Sequence, residues 1–185
     1  MLLPISETPD LRLLEEADAR ELQALIAANR AHLARWLPWA AGQTLEDTVG
    51  FIRKARAQLT ESDGFQAAIL SEEEIVGVIG FTGVDWDNRS TGIGYWLAEE
   101  HQGRGAATAA VRVLVDHALA VWRLNRVEIR AAVENRRSRA IAERLGFRQE
   151  GTLREVERVG DRYLDCVVYS TLATDWRAGP APDLA

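Results

Sequence analysis

The segment spanning residues 91–122 constrains the fold more than any other part of the chain. It contains a strand pattern at 91–98, a short loop at 102–107 and a helix pattern that continues to Trp122. The loop contains two glycines, so a ligand can approach its backbone closely. Free N–H groups at the start of a helix bind anions through hydrogen bonds and the helix dipole. The segment therefore predicts a phosphate-binding strand–loop–helix unit.

Two other classes of phosphate-binding protein can be compared with this segment. A nucleotide-binding P-loop requires G-x-x-x-x-G-K-[ST], and the chain contains no Gly-Lys pair. A dinucleotide-binding fingerprint would place glycine or alanine at position 108, where Thr108 stands. It also requires an acidic residue about 20 positions further on at a strand end, whereas Glu128 falls in mid-strand. Both classes are poor matches.

Residue spacing divides the chain into alternating strands and helices. The predicted strands lie at 11–14, 65–70, 75–84, 91–98, 126–133, 147–157 and 163–172. The predicted helices lie at 18–33, at 106–122, at 136–145 and from Thr44 onward, with Thr44 as the N-cap. This order predicts an α/β fold with a mixed sheet flanked by helices. Residues 1–177 form a single domain in this interpretation, and residues 178–185, rich in Ala and Pro, form a flexible tail.

Composition argues against several classes of function. The net charge of −6 does not favour non-specific nucleic-acid binding, and no apolar run approaches the ~20 residues that span a bilayer. The first residues lack the pattern of a signal peptide, so we expect a cytoplasmic protein. The single cysteine, Cys166, excludes an intrachain disulfide and lies in an apolar run that predicts a buried strand position. The three histidines show no ligand spacing, so no metal is predicted.

The loop and its flanks resemble the Gcn5-related N-acetyltransferase (GNAT) superfamily. Gln102, Gly105 and Ala107 match the motif Q/R-x-x-G-x-G/A. The resemblance covers residues 11–176 and is closest to the RimJ/RimL branch, bacterial enzymes that acetylate the α-amino group of ribosomal proteins. Other matching segments are 92–97, 135–141, Gly146-Phe147, Glu150-Gly151 and Tyr163-x-Asp165. The resemblance implies a central mixed, mostly antiparallel sheet flanked by helices.

The resemblance also implies acetyl-CoA as cosubstrate. The resemblance implies that the strand ending at Leu97-Ala98 splays from the strand at 126–133, and that the pantetheine arm lies in the gap between them. A backbone N–H near Leu97 then faces the thioester oxygen, the loop amides hold the pyrophosphate, and Asn135 hydrogen-bonds the arm. The residues expected to bind acetyl-CoA are Leu97, Ala98, Gln102, Gly103, Arg104, Gly105, Ala106, Ala107 and Asn135.

The reaction that the resemblance implies is direct attack of an amine on the thioester. It needs a base for the amine, a donor for the oxyanion and a proton donor for the departing thiolate. The family's usual tyrosine donor would stand at Ala142, so the resemblance to RimL-like enzymes points to Ser138 instead. The alternative for Ser138 is ordinary helix-start chemistry after an Asn135 N-cap.

The resemblance assigns the base to Glu157. The alternative for Glu157 is a solvated carboxylate at a strand end that faces Arg154 or Arg158. Asp85 and Asp87 are weaker candidates for the same function, since they fall in a loop expected to border the cleft.

Three functions remain open from the sequence. The leading one is acetyl transfer to the N-terminal α-amine of a protein or peptide, with a ribosomal protein among the acceptors. The second is acetylation of a small amine, such as an antibiotic, polyamine or amino acid. The third is a non-catalytic acetyl-CoA-binding regulatory module, because fold does not fix function.

The sequence says less about the acceptor and about partners. Trp36, Trp39 and Trp86 lie in loops that wall the acceptor site in this branch, with core packing as their alternative. A homodimer is compatible with the resemblance, and no residue decides the oligomeric state. Neither nucleic acid nor membrane is expected as a partner.

Overall fold

A computed structural model describes residues 10–178. Its centre is one seven-stranded sheet with the strand order β1-β2-β3-β4-β5-β7-β6. The strands are β1 (Asp10–Leu13), β2 (Gln66–Ser71), β3 (Glu74–Asp85), β4 (Ser90–Leu97), β5 (Arg126–Ala132), β6 (Arg148–Val159) and β7 (Arg162–Leu172). All neighbours pair antiparallel except β4 and β5, which pair parallel. The predicted mixed, mostly antiparallel sheet is confirmed.

Six α-helices accompany the sheet in the described part of the chain. They are α1 (Ala19–Ala28), α2 (Arg30–Leu33), α3 (Leu45–Thr60), α4 (Ala106–Asp116), α5 (Arg136–Arg144) and α6 (Ala173–Ala178). The predicted helix end at Trp122 holds because a π-helical turn, His117–Val121, continues α4. Apart from Ala178, which ends α6, the predicted flexible tail lies outside the described residues.

Thr44 fixes the start of α3, as its side-chain chemistry predicts. The backbone N–H of Asp47 donates to Thr44 Oγ1 at 3.2 Å, and the Thr44 N–H donates to Asp47 Oδ2 at 3.0 Å. This capping box satisfies N–H groups that have no partner inside the helix.

The first helical region differs from the prediction. The single helix expected at 18–33 is wrong, because the structure separates α1 from α2 at Asn29. The Asn29 side chain donates to the Leu25 carbonyl at 3.0 Å and accepts from the Glu99 N–H at 2.8 Å. Since the second contact joins residues 70 positions apart, local spacing could not reveal it. Helix α6 was also not predicted.

The sheet buries two separate apolar clusters, one on each face. The first face packs against α4 and α5, and its fully buried members include Val111, Val127 and Tyr169. The second face packs against α1 to α3, with Leu22 and Ile52 fully buried. Within residues 10–178, no residue of β5, β6 or β7 belongs to this second cluster. The cluster that α1 to α3 cover is therefore confined to the β1–β4 half of the second face.

The sheet opens between β4 and β5. Their ladder consists of three residue pairs, Ser90–Gly92 with Arg126–Glu128. Beyond these pairs β4 runs on to Leu97 and β5 to Ala132 without pairing to each other. The two strands thus diverge toward their carboxyl ends, as expected for the splayed strand pair. We call the space between residues 93–97 and 129–132 the splay gap.

No helix within residues 10–178 combines the length and hydropathy required to cross a lipid bilayer.

Candidate active site

The loop at 102–107 presents bare backbone at the mouth of the splay gap. Gly103 and Gly105 have φ of +78° and +86°, a left-handed conformation that glycine adopts without strain. A Cβ added at either glycine would meet no atom within 4 Å. In the described part of the chain, the amides of residues 103–108 donate to no acceptor. A row of free amides at the start of α4, with open space before it, fits an anionic pyrophosphate.

The other loop residues frame this surface. Arg104 is exposed, Ala106 is half-buried, and Ala107 packs into the core cluster below α4. The small side chains of these two alanines allow the first turn of α4 to lie against the sheet.

Gln102 connects the loop to three other elements. Its Oε1 accepts from Arg137 Nη1 on α5 at 2.7 Å. Its Nε2 lies 2.7 Å from His32 Nε2 on α2 and 3.4 Å from the Leu97 carbonyl at the end of β4. Sequence reasoning missed these two contacts because Arg137 and His32 lie 35 and 70 positions from Gln102 in the chain. The side chain of Gln102 therefore holds the loop in place through contacts within the protein.

His32 takes part in this contact as a neutral ring. Burial lowers its pKa, and the Glu99 carboxylate opposes that shift only partly. With Gln102 Nε2 as donor, His32 Nε2 is the acceptor, so the ring proton belongs on Nδ1, which lies 3.9 Å from Glu99 Oε1.

The end of β4 supplies one amide to the splay gap. The Ala98 N–H donates to the Val76 carbonyl on β3 at 2.9 Å. Because successive N–H groups of a strand point to opposite sides, the Leu97 N–H points away from β3 and into the gap. Of the two strand-end residues expected in the cofactor site, Leu97 thus has the available amide, while the Ala98 amide is committed to the sheet.

Helix α5 brings Ser138 to the gap. Asn135 is the N-cap, and its Oδ1 accepts from the Ser138 N–H at 3.2 Å. The Ser138 hydroxyl is not part of the cap. Its Oγ lies 3.1 Å from the hydroxyl of Tyr95, which reaches across from β4. Burial raises the pKa of Tyr95 to about 12, so the phenol keeps its proton at neutral pH.

Ala142, where the family's tyrosine would stand, is fully buried in the core. A phenol nevertheless reaches α5, from the strand rather than from the helix. The alternation of Ile93, Tyr95 and Leu97 toward the α5 face is the sequence signal that could have found this contact.

Glu157 lies on β6 beside an irregularity of the strand. The register of β6 shifts between Leu153 and Glu157, and Glu155 adopts a φ of +51°. The Glu155 N–H donates to Asp165 Oδ1 at 2.8 Å, so Asp165 fixes the bulge. Glu157 is half-buried and, among the described residues, pairs with neither Arg154 nor Arg158.

Strand register places Glu157 and Ser138 on opposite faces of the sheet. Glu157 pairs with Leu164 of β7. Leu164 alternates with Val167 and Tyr169, which belong to the cluster under α4 and α5. Glu157 therefore faces away from α5, on the side of the sheet that α5 leaves open. Cys166 shares that side, and burial together with the Glu157 charge raises the pKa of its thiol.

The weaker candidates lie at the other end of β4. Asp85 accepts two hydrogen bonds from Asn88 in the β3–β4 turn, where β4 is still paired to β5. Trp86 lies in the same turn, is 45% exposed and packs one side of its ring on Trp122 with ring centroids 5.9 Å apart, so its place in an acceptor wall stays a prediction. The ring centroid of Trp39 lies 6.1 Å from that of Trp96 of β4, on the second face of the sheet.

One further sequence expectation concerns a single residue, the cysteine. Cys166 is buried within β7, as its apolar surroundings predict. No group of three or more His, Cys, Asp or Glu side chains within residues 10–178 is arranged to hold a metal ion.

Residues 10–148 match the family model of the acetyltransferase (GNAT) domain. The chain therefore belongs to the GNAT family, and it is an N-acetyltransferase of the RimJ/RimL-like type. It is 39% identical to a Bacillus subtilis (strain 168) protein named "Putative ribosomal N-acetyltransferase YdaF", over 93% of this chain and 95% of that one.

Solved structures agree with this membership. RimL, a ribosomal L7/L12 alpha-N-protein acetyltransferase solved in complex with coenzyme A, superposes with a TM-score of 0.87 at 27% identity, covering 93% of this chain and 98% of RimL. The microcin C7 self-immunity acetyltransferase MccE, solved with acetyl-CoA and AMP, superposes with a TM-score of 0.83 at 30% identity, covering 88% and 92%. Both structural relatives thus hold coenzyme A or its acetyl ester.

Proposed function

We propose that the chain transfers the acetyl group of acetyl-CoA directly to a primary amine, the N-terminal α-amine of a protein or peptide. A ribosomal protein is the first acceptor to consider, because relatives that span nearly the whole chain are named for ribosomal proteins. The observation that carries the proposal is the splay gap, which opens directly beside the glycine loop.

The residues at the gap fit acetyl-CoA. The free amides of residues 103–108 suit the pyrophosphate, and the unpaired edges of β4 and β5 suit the amide-bearing pantetheine arm. Asn135 uses its Oδ1 as a helix cap, which leaves the Nδ2 hydrogens for the arm. When bound, acetyl-CoA would supply an acetyl group activated as a thioester.

Three groups then match the needs of the reaction. The Leu97 N–H donates a hydrogen bond to the thioester oxygen as negative charge develops there. Ser138 Oγ donates to the sulfur as the carbon–sulfur bond breaks. Glu157, on the opposite face, accepts the proton that nitrogen loses as the carbon–nitrogen bond forms. Placing donor and base on opposite faces lets the amine enter from the side away from the leaving sulfur.

Proton energetics favour an α-amine as acceptor. Its reference pKa is about 7.7–8.0, against about 10.4 for a lysine amine, so lysine needs roughly 3.5 kcal/mol more to lose its proton at neutral pH. A lone carboxylate such as Glu157 is a modest base. It therefore suits an amine that is already partly neutral.

A small amine is the second candidate. The aromatic pair Trp39 and Trp96 lies on the second face beside the gap, and MccE was solved with the small molecule AMP beside acetyl-CoA. Aromatic faces of this kind bind planar or cationic small molecules.

Release of the free thiol separates these candidates. The purified chain is incubated with acetyl-CoA and, in parallel, with a peptide bearing a free N-terminus, spermidine or an aminoglycoside. We expect rapid release with the peptide. Robust release with either small amine and none with the peptide would reject the α-amine assignment, and no release with any amine would favour the regulatory module.

A further inference from the structure

Two hydroxyl groups meet across the splay gap, one from each side. Tyr95 extends from β4 and Ser138 from the first turn of α5. The phenol oxygen of Tyr95 lies 3.1 Å from Ser138 Oγ and 3.1 Å from the Ser138 carbonyl oxygen. Residues 93–97 and 129–132 make no ladder here, so this contact joins the two sides of the gap through side chains.

A phenol has one proton, and Tyr95 has two acceptors for it. When Tyr95 donates to the Ser138 carbonyl, the serine hydroxyl is free to donate to the phenol oxygen. When Tyr95 donates to Ser138 Oγ, the hydroxyl proton of Ser138 cannot point at Tyr95. It then points into the splay gap. The Ser138 carbonyl still has a hydrogen-bond partner in the second arrangement, because a carbonyl in the first turn of a helix also accepts from the N–H four positions further along the chain.

We propose that Tyr95 is a positioning residue for Ser138. By donating to Ser138 Oγ, Tyr95 directs the serine hydroxyl proton toward the sulfur in the splay gap. This inference rests on the proposed function, since it assigns the sulfur of coenzyme A to that place. As negative charge grows on sulfur, Tyr95 donates to Ser138 Oγ and Ser138 donates to sulfur. The two aligned hydrogen bonds strengthen each other.

The chain of donors stabilises the thiolate without handing over a proton. An alcohol is a much weaker acid than a thiol, whose reference pKa is about 8.5, so the serine proton stays on oxygen. Burial raises the pKa of Tyr95 as well. The carbon–sulfur bond therefore breaks to give a thiolate, and the proton lost by the amine passes through Glu157 to solvent. The family resemblance implied that Ser138 protonates the thiolate. In this proposal Ser138 instead stabilises the thiolate by a hydrogen bond.

The test measures the thiol of bound coenzyme A, which requires no amine acceptor. Calorimetry compares the affinities of coenzyme A and desulfo-coenzyme A from neutral to alkaline pH. In the wild type, the preference for coenzyme A should rise as the thiol ionises, because the bound thiolate is stabilised. Tyr95→Phe should reduce that preference about tenfold, the effect of losing one hydrogen bond that supports a charge. In a Ser138→Ala background the same change should have no further effect.

Tyr169→Phe is the matched control. Tyr169 is also buried, and its hydroxyl also contacts α5, accepting from Arg139 Nε at 2.9 Å and donating to Glu143 Oε1 at 2.7 Å. It lies on β7, outside the gap. If Tyr169→Phe lowers the preference for coenzyme A as much as Tyr95→Phe does, the effect is one of helix packing and the proposal is overturned.

A second measurement uses the wild type and does not depend on a variant that folds. The chain has three tyrosines, so carbon-13 labels at their phenol carbons give three signals that Tyr163→Phe and Tyr169→Phe assign. The Tyr95 signal should shift as bound coenzyme A ionises and should stay fixed with desulfo-coenzyme A. A Tyr95 signal that is identical with both ligands contradicts the proposal. A chain that passes these tests but acetylates no peptide refutes only the acceptor assignment.

Discussion

The two sides of the splay gap differ in the groups that they offer: backbone amides on the cofactor side and side chains on the acceptor side. On the cofactor side, the loop, the end of β4 and the start of α4 offer backbone amides, and the left-handed glycines leave them bare. On the acceptor side, the chemistry rests on side chains, above all on Glu157 at the bulge of β6. One side needs an uninterrupted stretch of sequence, whereas the other needs residues from distant parts of the chain.

The two kinds of site are sensitive to different substitutions. A backbone site tolerates changes of most side chains but fails when a side chain enters its open space. A side-chain site fails when one functional group is lost or loses its support, as at Asp165, which fixes the bulge next to Glu157.

The largest expected effect is that of Gly105→Val. The new side chain would be strained at a φ of +86° and would occupy the open space before the free amides. We expect affinity for acetyl-CoA, measured by calorimetry, to fall by about 100-fold or more, the loss of several charge-assisted hydrogen bonds. Gly42→Val is the control, since Gly42 has equally open surroundings and an ordinary φ. Unchanged affinity for acetyl-CoA in a folded Gly105 variant would exclude the loop backbone as the pyrophosphate site.

Ser138→Ala tests a side-chain contribution at the cofactor side. Loss of the donor to the leaving sulfur should lower kcat by roughly 100-fold with little change in acetyl-CoA affinity. Steady-state kinetics and calorimetry on the same preparation measure both quantities. Ser170→Ala, which removes a buried hydroxyl on β7 bonded to Glu150 at 2.7 Å, controls for stability. A Ser138 variant that loses only stability would restore the plain helix-start interpretation.

Glu157→Gln tests the acceptor side through pH. Without the base, kcat at neutral pH should fall by roughly 100-fold. The deficit should narrow above pH ~8, where an α-amine is already neutral. Rates with a free-terminus peptide between neutral and alkaline pH measure this, and Glu155→Gln on the same strand is the control. A deficit that is equal at every pH would exclude the general-base function of Glu157.

The smallest expected effect concerns His32 and the support of the loop. Its pKa is lowered in the folded state, so the unfolded chain, with a histidine pKa of about 6.5, binds a proton more readily. Its full contribution to stability is present above pH ~6.5 and declines as pH falls toward the folded-state pKa. Urea denaturation from pH 7.5 to 5 should show a steeper loss for the wild type than for His32→Gln. If the free energy of unfolding falls equally with pH in the wild type and in His32→Gln, protonation of His32 does not destabilise the folded chain.

The sequence predicted the local elements of the fold better than contacts between distant parts of the chain, for a physical reason. The order of strands and helices and the Thr44 cap follow from local spacing, and the splay between β4 and β5 is what the family resemblance of a continuous motif implied. Break points and supports that depend on distant contacts could not be predicted. The end of α1 at Asn29 depends on Glu99, and the position of Glu157 depends on a bulge held from β7.

Single residues show the same limit. The contact between Trp86 and Trp122 could not be predicted, because the two residues come from different elements. Tyr95 was visible only as a strand residue, since its contact with Ser138 spans 43 positions.

Competition between two amines within one molecule tests whether the acetyl group is transferred to an N-terminal α-amine. A peptide that carries both a free N-terminus and an internal lysine is incubated at neutral pH with acetyl-CoA and the chain. Fragmentation mass spectrometry then locates the acetyl group. Acetylation is expected at the N-terminus, with turnover largely abolished when that terminus is blocked. Acetylation on the lysine, undiminished by blocking the terminus, would exclude the α-amine as the acceptor.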